Sequence, residues 1–214
     1  MGRPKTPLID REAAIARSLD IIDRDGVDGF SIRKLGTELG VNGASLYHHF
    51  KDKDDILEGV KNLVLREAGV VFRDTPDMTW QEHVTRSVTR YRKALLNHPN
   101  TAPLMAPDAM RPHAAEAHDY LIRKMTEDGV PSKYAYAILE SVETLAYGSA
   151  ALNPRKLRPA QRFSSRAGDT PSLAGALRVG PKSADGLFQL ELSALLEGWT
   201  TLVRNDNGGS LNRT

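Results

Sequence analysis

Cysteine does not occur in this chain, which removes disulfide frameworks, thiolate metal sites and cysteine nucleophiles together. No apolar run approaches the roughly 20 residues that a membrane span needs. The opening MGRPKTPLIDREAA carries charge but no apolar segment of the kind a secretion signal has, so a cytoplasmic protein with no membrane partner is expected. Sustained period-two alternation between hairpin signals is missing, and with it the expectation of strands. There is no Gly-x-Ser-x-Gly elbow, Gly-rich phosphate loop or metal-ligand spacing, so no enzyme, no cofactor and no metal site is expected. A large charge imbalance is lacking too, since 29 Lys and Arg face 27 Asp and Glu for a net +2. A broad positive field is excluded by that balance, whereas a few placed cations are not.

The 214 residues suffice for one large domain or two small ones with a proper core, and 40% apolar with 26% charged residues excludes wholesale disorder. Charge is unevenly spread. Residues 1–68 carry 11 Lys/Arg against 12 Asp/Glu, while residues 151–182 carry 7 against Asp169 alone. The basic stretch Arg155, Lys156, Arg158, Arg162 and Arg166 lies among Pro and Gly and reads as a solvated loop.

Helical spacing runs through the whole chain, and the expected fold class is all-α. Apolar residues at Ile15, Leu19 and Ile22 predict a first helix between an Asp10 N-cap and Gly26. A short second helix starts after Ser31, buries Ile32, Leu35 and Leu39, and stops at Gly40. Asn42 caps a third helix expected over about 43–49. Asp52 caps a fourth, expected over about 53–71, through Ile56, Leu57, Val60, Leu63 and Val64. Thr79-Trp80-Gln81-Glu82 fits a capping box that opens a helix through Val84, Val88, Tyr91 and Leu95. Further helices are predicted at about 113–128, 132–152 and 184–204. A long basic loop is expected over 153–182, and a disordered tail over 205–214.

The stretch SIRKLGTELGVNGASLYHHFKDK, from Ser31 to Lys53, has the form of a helix-turn-helix. Gly40 suits a turn position outside the right-handed region, and Val41 with Leu46 faces inward. Asn42, Gly43, Ser45, Tyr47, His48 and His49 are left outward, within reach of phosphates or base edges. Tyr47 and Lys53 suit phosphate oxygens, and Arg33 can read a guanine edge bidentately. A cation such as Lys53 near a helix start opposes the local dipole, a cost that a phosphate would offset. His48 and His49 point about 100° apart and cannot hold one metal. His113 and His118 lie off the spacing of helical zinc ligands. Arg3 and Lys5 belong either to a DNA-touching arm or to a free one.

Gly26-Val27-Asp28-Gly29-Phe30-Ser31, Arg33, Leu35, Leu39-Gly40-Val41, Ser45-Leu46-Tyr47-His48-His49-Phe50, Lys51, Lys53 and Leu57 together resemble the TetR family of transcriptional repressors. The likeness is close over about 10–65. Looser similarity to the tetracycline-repressor branch continues through Trp80, Tyr91-Arg92, His98-Pro99, Tyr147-Gly148 and Gly198-Trp199. The resemblance implies a DNA-binding domain at 1–52 and a ligand-binding and dimerisation domain at 53–204, linked by the helix at 53–71. It also implies a homodimer on a double-stranded palindromic operator, released by a small-molecule effector. The rival expectation is a small-molecule-binding protein or enzyme on such a scaffold that has lost operator binding.

Two departures from the branch bear on specificity. Gly43 stands where a base-reading Gln is found, so the operator should differ. Asn153 stands near the acidic residue that helps hold the drug's magnesium, and 101–107 has no His, which argues against a magnesium–tetracycline effector. Tyr91, Met105, Met110, Tyr120, Tyr136, Leu139 and Tyr147 are candidates for an effector pocket, although the same side chains fit an ordinary core equally well. Apolar content wider than one stripe, with small residues between, predicts that helices 132–152 and 184–204 pair across a two-fold axis. Leu145, Ala146, Ser149, Leu187, Leu190, Leu195 and Trp199 are the candidate contacts.

Overall fold

The computed structural model describes residues 10–67, 69, 77–163 and 170–210, apart from the side chains of 108–114 and 207–210. Among the described residues there is no strand, as the sequence predicts. The N-terminal helices are α1 (Arg11–Asp25), α2 (Ile32–Leu39), α3 (Gly43–Leu46) and α4 (Lys53–Glu67). Each start carries its expected cap. Asp10 accepts from the Glu12 amide, Ser31 from Lys34, Asn42 from Ala44, and Asp52 from Asp55.

The second group comprises α5 (Trp80–Asn97), a 3-10 segment (Pro99–Met105), α6 (Pro107–Glu127), α7 (Ser132–Ala151), a 3-10 turn (Pro159–Phe163), α8 (Pro171–Val179) and α9 (Ala184–Ser210). The capping box at α5 is complete, with the Thr79 side chain on the Glu82 amide and the Glu82 carboxylate on the Thr79 amide at 2.7 Å.

Two clusters of buried side chains hold the molecule together. The first gathers Ala14, Ile15, Leu19 and Ile22 of α1, Leu35, Leu46 and Phe50, and Ile56, Leu57, Val60 and Val64 of α4. Ala94 and Leu95 of α5, Met105 and Ala150 belong to that same cluster. The second joins Val84 and Val88 of α5, Leu121 and Met125 of α6, Ile138, Leu139 and Val142 of α7, and Phe188, Leu192 and Leu196 of α9. Each such large side chain stabilises by about 1.5–3 kcal/mol.

Polar ties cross-link the second cluster. The buried Arg92 guanidinium donates to Ser149 of α7 and to Asp185 of α9, both at 2.8 Å, and stacks 4.5 Å from the Phe188 ring. Trp199 Nε1 donates to Ser141 Oγ at 3.0 Å, tying α9 to α7.

Several boundaries differ from expectation. The α3 helix stops at Leu46 rather than His49, because the chain tightens into i→i−3 bonds from His48 to Ser45 and from His49 to Leu46 as it turns to bury Phe50. Only Lys53–Glu67 of the expected helix over 53–71 is described as helix, and 68 and 70–71 lie outside the described residues. The α6 helix begins earlier, with Pro107 at its first turn.

The segment 153–182 is not loop throughout. Asn153 closes its first turn by accepting from the Leu157 amide and donating to the Leu157 carbonyl, and α8 then forms behind Pro171. The tail expected to be disordered from 205 is helical to Ser210, held by buried Val203 and by a 2.7 Å ion pair between Lys133 and Asp206. Arg166, Arg3 and Lys5 lie outside the described residues. Among the described residues no helix is long and apolar enough to cross a membrane.

Candidate nucleic-acid interface

Residues 36–41 set the angle between α2 and α3. Gly40 adopts the left-handed conformation, φ 66 and ψ 27, with its amide donating to the Thr37 carbonyl, while the Val41 amide donates to Gly36 at 2.9 Å. This is a Schellman termination, and Gly40 is the residue type that enters it without a Cβ penalty. Gly36 serves the same junction differently. A β-carbon there would stand 3.1 Å from the Val41 carbonyl oxygen and 3.3 Å from the Gly43 nitrogen, so α3 could not approach α2 as it does.

Beneath the turn, Leu46 and Phe50 are buried and Val41 is partly so. Outward, Asn42, His48 and Tyr47 are exposed, the last by 59%, while Gly43, Ser45 and His49 are half-buried. Six of the eight expected DNA-contact positions thus fall in the single segment 42–49. Arg33 stands exposed in the first turn of α2. Lys53 is half-buried at the start of α4, its ammonium 5.7 Å from the Phe30 ring. A β-carbon at Gly43 would meet nothing within 4 Å, so the segment is open at that position.

Charge pairing separates occupied cations from available ones. Arg24 pairs with Asp25 at 2.7 Å and Glu38 at 2.6 Å, and Lys34 pairs with Asp25 at 2.8 Å. Hydrogen bonds from Arg24 and Lys34 bring the Asp25 carboxyl down to about 2. Among the described residues, no hydrogen bond or ion pair engages the side chains of Arg33, Tyr47 or His48. A free guanidinium, a free phenol and a free imidazole beside a helix-turn-helix are groups suited to phosphates and base edges.

Sequence reasoning missed two features of this surface. One is the close approach at Gly36, which a spacing argument does not reveal. The other is Arg11, whose guanidinium meets the His49 carbonyl oxygen at 2.5 Å and Asp55 at 2.6 Å. A cation in the first turn of α1 opposes that helix's dipole, and this was the one signal available.

The second domain treats its candidates unequally. Met105 and Leu139 are fully buried as core, and Tyr120 and Tyr147 are partly buried. The Tyr91 hydroxyl donates to the Met105 carbonyl; burial first, then Glu143 and Tyr147 nearby, push its pKa up. Tyr136 is 47% exposed on the protomer. The side chains of Met110 and His113 are outside the described set. His118 Nε2 lies 2.7 Å from Glu143 Oε1. A surface groove of about 540 Å³ runs between α5 and α9, lined by Gln81, Thr85, Gln189, Ser193, Thr200 and Arg204, and none of the expected pocket residues lines it.

Of the candidate subunit contacts, Ala146 is fully buried among the helices of its own protomer. Ser149 is held by Arg92. Leu145, Leu195 and Trp199 are half-buried against the second cluster, Leu187 is half-buried, and Leu190 and Leu202 are exposed by 56% and 52%.

Two family models match the chain: bacterial regulatory proteins of the tetR family over residues 14–60, and the tetracyclin repressor-like C-terminal domain over 73–203. An HTH-type transcriptional regulator of Saccharopolyspora erythraea is 31% identical over 110 residues, which take in 49% of this chain but only 46% of that relative. The class E tetracycline repressor protein of Escherichia coli is 24% identical over 187 residues, 87% of this chain and 88% of the relative. Among solved structures, a possible TetR family transcriptional regulator from Streptomyces coelicolor A3(2) superposes with a TM-score of 0.71 at 26% identity, covering 90% of this chain and all of that one.

Proposed function

The chain belongs to the tetR family of bacterial regulatory proteins, whose members are ligand-responsive DNA-binding regulators, and from that membership we propose that it is a homodimeric repressor released from a palindromic operator by a small molecule. The observation that carries this reading is the outward segment 42–49 on its Schellman turn, with free Tyr47 and His48 within it and free Arg33 on α2 beside it. In this reading Asn42, Ser45, His48 and His49 face base edges or phosphates from one major groove. Tyr47 and Lys53 bind phosphate, Arg33 reads one base pair, and Gly43 leaves its neighbourhood unread. The unengaged side chains of Arg33, Tyr47 and His48 count against a scaffold that has lost its operator.

Residues 53–204 form the effector and dimerisation domain in this proposal. The exposed Leu190 and Leu202, with Leu187 and the open positions Gly148 and Gly198, supply an apolar face with room for a second helix pair. The effector is other than a magnesium–tetracycline complex. Both polar atoms of the neutral Asn153 side-chain amide are engaged by the Leu157 backbone, which leaves no carboxylate there to hold a metal. Effector binding favours the dimer whose recognition helices are wrongly spaced, a population shift that needs no other device.

Selection of bound duplexes from a random pool, at two salt concentrations, tests the reading. A palindrome with half-sites about one helical turn apart, bound with strong salt dependence, is expected. Failure to enrich any sequence, from protein stripped of ligand by unfolding and refolding, would refute it.

A further inference from the structure

We propose that Arg11 is a positioning residue for operator recognition: from the first turn of α1 it fixes the exit of the DNA-reading segment, acting through the backbone of His49 and the carboxylate of Asp55 rather than on DNA. The inference rests on the reading of 42–49 as the recognition segment.

A four-residue helix has little stability of its own, so the pose of α3 depends on what grips its ends. Its beginning is held by the Schellman turn and the Asn42 cap. Its exit passes through a tightened turn, and there the Arg11 fork gathers three elements. Nη1 donates to the His49 carbonyl at 2.5 Å, Nη2 donates to Asp55 Oδ1 at 2.6 Å, and the guanidinium carbon stands 4.5 Å from the centre of the Phe50 ring. Asp55 in turn accepts from the Lys51 amide at 3.0 Å, and its own amide donates to Asp52 at 2.8 Å. One planar cation thus joins the start of α1, the carbonyl end of the reading segment and the first turn of α4.

Only a guanidinium can do all of this, because a lysine ammonium lacks the planar fork and the stacking face. Hydrogen bonding within the pair lowers the Asp55 carboxyl below its ordinary range and raises Arg11. The pair is therefore ionised and close to neutral in sum, which leaves little charge for a phosphate.

The test uses the full chain, the operator selected as above and a duplex of unrelated sequence, with Arg11→Ala, Arg11→Lys and Asp55→Asn. Each variant is expected to lower the preference for operator over unrelated duplex by about tenfold, the scale of losing one read base pair. Arg11→Lys, which keeps the charge, should leave affinity for unrelated duplex and the salt slope unchanged, and should not rescue the preference. A phosphate-binding Arg11 predicts the opposite pattern: uniform loss with the salt slope reduced by about one for Arg11→Ala, and tighter binding to every duplex for Asp55→Asn. Either that pattern or unchanged preference overturns the proposal. Should Arg11→Ala unfold, the near-isosteric Asp55→Asn decides by the sign of its effect. A wild-type chain that selects no duplex overturns the DNA-reading function itself, whereas failure of the clamp alone leaves wild-type selection intact.

Discussion

Replacing Gly36 with alanine pits two opposed effects of similar size against each other. Inside a helix, Gly→Ala ordinarily stabilises by about 1 kcal/mol through the unfolded chain and helix propensity. Here the new β-carbon would sit 3.1 Å from the Val41 carbonyl oxygen and 3.3 Å from the Gly43 nitrogen. Both are backbone atoms of the turn between α2 and α3, so no side chain can swing away, and the turn must open by a few tenths of an ångström. Overpacking against a fixed neighbour costs about 1–3 kcal/mol. The net is a loss of about 1 kcal/mol, or about 2–4 °C in melting temperature for a chain of this length.

The functional loss should exceed that change in stability. Moving α3 away from α2 alters the position of the segment 42–49 relative to Arg33, and a specific interface built on both loses operator affinity by about tenfold or more. Gly43→Ala is the internal control for stability, since nothing lies within 4 Å of the β-carbon it would gain. Thermal melts followed by circular dichroism, with operator binding followed by fluorescence anisotropy, read both quantities. A Gly36→Ala protein that melts at or above the wild type and keeps its operator affinity would refute the close-approach argument.

Tyr47→Ala should weaken binding to all duplexes alike, while Arg33→Ala should also relax preference at one base pair, by about 1–3 kcal/mol; repeating the duplex selection with each variant separates the two, and an unaltered Arg33→Ala profile removes its assigned role. Leu190→Glu together with Leu202→Glu should give monomers in sedimentation equilibrium at micromolar concentration with the helical circular-dichroism spectrum retained, because both side chains are exposed in the protomer; persistent dimers would place the subunit contact elsewhere. Acid should act on the N-terminal domain with a definite sign. The folded carboxyls of Asp25 (about 2) and Asp55 lie below their unfolded value, so their pairs stabilise fully above that value and the contribution is lost as pH falls through the folded values. Asp25→Asn and Asp55→Asn should therefore flatten the fall of melting temperature between about pH 4 and 2, and slopes equal to wild type would contradict the assignment.

Much of the N-terminal fold is written locally. Asp10, Ser31, Asn42, Asp52 and Thr79 each bond an amide two or three residues on, so a cap is visible in a short window of sequence. The recognition segment is visible for the same reason, because Gly40 and Asn42 punctuate it. The end of α3 is not, since burial of Phe50 decides it. Nor is the Arg11 clamp, whose partners lie 38 and 44 residues away. The same holds for the last turns of α9, which a pairing of Asp206 with Lys133 73 residues upstream keeps helical through a polar, Gly-containing stretch. In the C-terminal domain, apolar spacing identifies helix faces but not their partners. It cannot distinguish Ala146, which fills the protomer, from Leu190, which faces out of it.

That ambiguity hides the feature most relevant to regulation. The resemblance implies a domain boundary at residue 52, yet the first core runs through it and takes in Leu95 and Met105 alongside Ile56, Val60 and Val64. Swinging the DNA-binding domain away as a separate body would uncover these side chains at about 1.5–3 kcal/mol each. Coupling between an effector and a DNA site typically amounts to about 1–3 kcal/mol in all. A hinge that opened this core would therefore cost more than the ligand can supply. A sliding of α4 against α1 and the 3-10 segment that keeps every one of those side chains buried lies within reach, and shear of that kind is what an effector bound in the second domain has available to change the spacing of two recognition helices.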